Sequence, residues 1–167
     1  GILMGTMSYN SPHFFLSLGQ DIERADMTSR IVDVAAAYLQ QNERLVLRYG
    51  STLWTNVLKS VSGFQMYRQY CQPQVEGLVV VDFLLNDQKF PRAVRACVER
   101  AKQTAAWLPR AEHLVGALER AEDSLPSPLP KHLDGAEVSR LMDTLQKRLG
   151  DAHMAVVDTW FLPGDDA

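Results

Sequence analysis

SPHFFLSLGQDIERADMTSRIVDVAAAYLQQ, residues 11–41, decides how the rest of the chain is read. Asn10 or Ser11 can cap a helix there, Pro12 suits the first helical position, and no proline follows before Gln41. At 3.6 residues per turn two sectors are apolar. Leu18, Ile22, Ala25, Val32 and Ala36 form one; Leu16, Met27, Ile31, Val34 and Tyr38 form the other. A helix apolar on two sides expects neighbours on both. A narrow charged stripe runs between the sectors, Glu23, Asp26, Arg30 and Asp33, at spacings of three and four. Charge wedged between packed helices needs partners.

The 167 residues suit one domain, 46% hydrophobic and 22% charged, which is enough for a core and ordinary for a soluble protein. A net charge of -3 argues against nucleic acid as the main partner. No apolar run approaches the roughly 20 residues of a membrane helix. The opening GILMGTMSYN lacks the basic region and apolar core of a signal peptide. Cys71 and Cys97 have no metal-ligand spacing and are expected as reduced thiols near the core, with the cytoplasm as the default compartment.

Taken in order, residues 1–10 read as a loop, and residues 42–50 as either a frayed extension or a turn. Ser51 caps a helix over 52–70 that carries Trp54, Phe64, Tyr67 and Tyr70 as packing aromatics, with Gly63 inside it for a close approach. The dense apolar run 75–85 is a short helix despite its three valines, because no second strand is available to pair with it. Pro91 opens a helix to Leu108, with Val94, Cys97, Val98, Ala101 and Ala105 inward. Arg92, Arg95, Arg100 and Lys102 read as a solvated basic face. A helix over 110–123, a proline-rich linker over 124–130 and a last helix capped by Asp134 complete the chain. The expectation is an all-α bundle of about six helices around a long central one.

The stripe Glu23-Asp26-Arg30-Asp33 supports three readings: first a buried ion-pair network, then a ligand or partner site, and last a metal site or an enzyme's acid–base pair. Helical di-metal sites want Glu-x-x-His, and no histidine follows Glu23 at that spacing. Arg24 is expected to reach across to another helix, with Glu23 and Arg24 both buried and paired. His13, His113, His132 and His153 fall in separate segments, and no Gly-rich phosphate loop, Gly-x-Ser-x-Gly elbow or Cys-x-x-Cys is present. Neither a cofactor nor a metal is expected, and a noncatalytic role is favoured over an enzyme.

Four stretches together carry a resemblance: IERADMTSRIVDV (Ile22 to Val34), GTM (Gly5 to Met7), WTNVLKSVSGFQMYR (Trp54 to Arg68) and DFLLNDQKFPRAV (Asp82 to Val94). Their order and spacing resemble the bacterial alpha-E domain family, with Glu23-Arg24 as its Glu-Arg signature and only the second half of that domain represented. The resemblance implies an all-helical domain tied to ATP-grasp peptide ligases and transglutaminase-like proteins, acting as a helper or protein- or peptide-binding module. Glu23, Arg24, Asp26, Arg30, Asp33, Tyr67, Arg68 and Arg92 are the candidate binding residues. Two departures stand out: Gln20 where the family usually has arginine, and Ala93 where it often has serine. A site that needs a base at 20 or a hydroxyl at 93 is incomplete here. The apolar sector left without a neighbour is expected to be covered by a partner or, most simply, by a two-fold homodimer burying at least about 1,000 Å².

Overall fold

A computed structural model describes residues 2–162, with side chains described from Pro12 onward apart from Glu43. Seven α-helices and no strand occur among the described residues. They are α1 (Ile2–Gln41), α2 (Glu43–Ser60), α3 (Phe64–Tyr70), α4 (Gly77–Asn86), α5 (Val94–Ala105), α6 (Glu112–Asp123) and α7 (Gly135–Val156), which runs into a π-helical turn at Val157–Phe161.

α1 is central, lying against α5 and α7 and, towards its C-terminal end, against α2. Leu18, Ala25 and Val32 are fully buried, with Ile22 and Ala36 nearly so, as the first apolar sector requires. Leu58, Leu84, Leu114, Leu118, Leu145 and Leu149 fill the same core from four other helices. At about 25 cal/mol per Å² of apolar surface removed from water, this shared burial is the main term holding the bundle together.

Three boundaries differ from the sequence reading. Residues 2–10 are helical, so Pro12 lies inside α1 rather than at its start. An interior proline forfeits its own backbone donor and crowds the carbonyl four residues back, at about 3 kcal/mol, and α1 runs on through it. Gly50 and Ser51 likewise sit within α2, which begins at the Asn42 turn, where Asn42 Nδ2 donates to the Tyr38 carbonyl. The expected helix over 52–70 is instead broken at residues 61–63. Ser62 takes φ 58°, and a Cβ on Gly63 would lie 2.9 Å from the Phe90 ring. The close approach expected at Gly63 is real, but it is made by an aromatic ring packed into a break, not by a second helix. As a result Trp54 and Tyr67 are core while Tyr70 is exposed.

The run 75–85 is helical, as α4, and buries Val80, Val81, Phe83, Leu84 and Leu85. Asp134 caps α7 by accepting from the Glu137 amide. The proline-rich segment is pinned rather than free. Leu125 and Leu129 are buried, Asn86 Nδ2 donates to the Pro126 carbonyl, and the Leu129 amide donates to Asp82.

The basic run on α5 is not a solvated face. Arg95 donates to Asn86 Oδ1 and the Leu125 carbonyl, Arg100 to Asp21 and the Pro91 carbonyl, and Lys102 pairs with Glu122 at 3.1 Å. Each cation staples α5 to a neighbouring segment. Burial alone would lower the Lys102 pKa. The Glu122 hydrogen bond and charge, with Glu99 and Glu119 behind them, outweigh it, so the value rises.

Candidate functional site

Among the described residues the second apolar sector of α1 has no neighbour along most of its length. Leu16 is 61% exposed, Met27 56%, Val34 70% and Tyr38 50%. The charged stripe runs beside it as a ridge with a groove on either side. One groove, about 560 Å³, lies between α1 and α7; the other, about 660 Å³, lies between α1 and α2. Glu23, Asp26 and Arg30 line both.

The stripe is therefore not a buried ion-pair network, and Glu23 and Arg24 are exposed rather than buried and paired. Helical spacing put them beside the apolar sectors, but among the described residues no helix packs over that part of α1. Asp26 accepts from Arg30 Nε at 2.8 Å within α1, and this bond pushes the guanidinium pKa further up. An exposed pair of this kind contributes little to stability, because solvent and salt screen it. Asp33 accepts from the Ser139 hydroxyl of α7. Glu23 has no ion-pair partner among the described residues. Arg24 reaches only Asp21 of its own helix, at 3.9 Å.

The crossing ion pair belongs to a residue that the charge pattern passed over. Asp21 is 7% exposed and accepts from Arg100 of α5 at 3.1 Å. Its position three after Leu18 and four before Ala25 places it in register with the buried sector, and that register was the available signal. Thr28, also buried, donates to the Arg92 carbonyl and ties the same face to the start of α5.

Tyr67, Arg68 and Arg92 do not join the stripe through any hydrogen bond or ion pair among the described residues. Tyr67 is fully buried, packs edge-on against Phe83 and donates to the Gln74 carbonyl; burial raises its pKa. Arg68 is exposed and stacks over Phe64, and Arg92 donates to the Val61 carbonyl at the helix break. These three organise the α2–α3 junction and the core. Cys97 is buried, and its thiol pKa is raised by burial, whereas Cys71 is exposed in the turn after α3.

The α1–α7 groove gathers more than the sequence offered. Phe15, Ile22 and Leu149 give it an apolar floor, and Glu23, Asp26 and Arg30 form one wall. Across from them, α7 contributes Gln146 and His153. Gly19 and Gly150 leave open space, since a Cβ on either would meet nothing within 4 Å. Gln146 Nε2 is shut off from solvent and has no acceptor. A buried donor left unmatched costs about 1–3 kcal/mol, and a turn of the side chain into the groove to meet an incoming carbonyl or carboxylate would recover that cost. Gln20 lies on the rim, where an arginine would add charge. Ala93, by contrast, is fully buried at the N-cap of α5 with no side-chain cap, so a hydroxyl there would cap a helix.

Among the described residues no three His, Cys, Asp or Glu side chains are grouped to hold a metal ion, and no helix is long and apolar enough to cross a membrane. Alpha-E, a family described as a predicted alpha-helical domain with a conserved ER motif, matches residues 1–161. Among curated proteins and among solved structures, nothing matches.

Proposed function

This chain belongs to the Alpha-E family, and from that premise we propose that it is a noncatalytic helical module that binds a protein or peptide segment in the α1–α7 groove. Its partners are an ATP-grasp ligase or a transglutaminase-like protein in a cytoplasmic peptide synthesis or modification system, as the family resemblance implies. The observation that carries the reading is the groove's make-up: an apolar floor, an unpaired carboxylate at Glu23 on one wall, and the orphaned amide of Gln146 opposite. A segment that brings an apolar side chain, a basic group and a free backbone carbonyl would satisfy all three. The grooves that bind such segments are concave, mostly apolar and carry a few placed polar groups. Asp26 is already committed to Arg30, which supports binding over acid–base chemistry for the stripe.

A photo-crosslinking residue at position 153, in the native cell, tests this. The expected product joins the chain to a ligase, a transglutaminase-like protein or their peptide substrate, and Glu23→Lys weakens it. Crosslinking no stronger than from exposed Glu119 on α6 would overturn the reading.

A further inference from the structure

The α1–α2 groove, on the other flank of the ridge, has a different character. Met27, Ile31, Val34 and Tyr38 line it from α1 at alternating spacings of four and three, and Arg24 and Gln20 continue that alternation along α1 beyond the groove. That is the seam spacing of a coiled coil, in which each residue of the stripe packs into a hole of a facing helix. Met27, Val34 and Tyr38 are at least half exposed and Ile31 partly so, with Leu53 and Val57 of α2 along the edge. Among the described residues no helix faces it.

The stripe is its own complement when reversed. An antiparallel copy centred between residues 32 and 33 sets Met27 against Tyr38 and Ile31 against Val34, and then repeats both layers in reverse order. The flexible side chain meets the large one, and the two branched side chains meet each other. The charges also match. α1 has no basic residue in its last turn, and the reversed copy brings Arg24 beside Gln41, where the carbonyl end of the helix favours a cation. Glu23, Asp26 and Arg30 lie to one side of the seam, so no like charges are forced together. The overlap from Arg24 to Gln41 is about 27 Å of helix.

We propose that a second copy of this chain covers the groove, forming a two-fold dimer in which α1 and α2 of both copies make a four-helix bundle. The α1–α7 groove stays open on the far side of the ridge, so this dimer goes beyond the binding role proposed for that groove and can fail independently of it.

Sedimentation over a concentration series tests the dimer, in the full chain with Cys71→Ser. The expected result is a dimer mass that Val34→Asp converts to monomer, with the dissociation constant rising about a hundredfold or more because a carboxylate would be buried in the seam. The far-UV circular dichroism of that variant stays unchanged, since Val34 is outside the core. Mixing Ile31→Cys with Val34→Cys should form disulfide-linked dimers faster than either variant does alone. A monomer up to about 1 mM, a dimer that survives Val34→Asp, or faster linkage within either single variant would each overturn the proposal.

Discussion

Leu16 and Leu18 sit two residues apart on one helix, and one is 61% exposed while the other is fully buried. The same contrast runs the length of α1, with Ala25 and Val32 in the core and Met27 and Val34 in the open. Both sectors are apolar at helical spacing, so the pattern says the same of each. What separates them is supply. α5 and α7 reach the first sector, and α2 only borders the second. Hydrophobic periodicity records which faces tend to be buried, and the count of neighbouring helices decides which are buried within one chain.

The sharpest way to break the contrast is to truncate the two leucines. Leu18→Ala should cost about 2–5 kcal/mol in urea unfolding. Leu16→Ala should stay within about 0.5 kcal/mol, provided both are measured at dilution. Equal costs would mean that the second sector is covered within the chain.

The acidic residues offer the same test in polar form. Asp21→Ala removes the partner of a half-buried guanidinium and should cost about 1–3 kcal/mol, whereas Glu23→Ala should be near neutral. Comparable losses would restore the buried network that the stripe seemed to announce. A smaller effect has the opposite sign. Ala93→Ser should stabilise the chain by about 0.5–1 kcal/mol by capping α5. If it instead leaves stability unchanged but alters partner binding, the hydroxyl belongs to a site and not to a cap.

The remaining effect concerns pH. Tyr67 and Lys102 hold their protons more tightly in the folded chain than in the unfolded one. Their contribution is complete below their unfolded pKa values near 10 and is lost as pH rises through the folded values. Stability should therefore fall on the alkaline side, by no more than about 1.4 kcal/mol per pH unit for each group. Tyr67→Phe combined with Lys102→Met should flatten that limb in a denaturant series repeated from pH 8 to about 11.

The all-helical architecture was legible because periodicity, prolines and the Asp134 cap all pointed to it. The boundaries that were missed share a cause. Pro12, Ser51 and Gly63 are local signals; α1 and α2 run through the first two, and the third became a break, where the Phe90 ring fills the space a side chain would need. The stripe was visible, but its exposure was not, since exposure depends on whether another helix packs over it. Asp21 was hidden by standing off the charged stripe and inside the buried register. Gln146 and His153 could not be tied to Glu23 from sequence, because only the packing of α7 on α1 brings them to one groove.

The central claim is that α1 has one apolar face used inside the chain and another that is bare until a second molecule covers it. Two methionines report on this directly, Met27 at 56% exposure and Met142 fully buried. Brief oxidation followed by peptide mass analysis, repeated from dilute to concentrated protein, reads both at once. Met27 should oxidise readily in dilute protein and become protected as concentration rises, while Met142 resists throughout. A Met27 as resistant as Met142 at the lowest concentration, or one equally reactive at every concentration, would contradict the account.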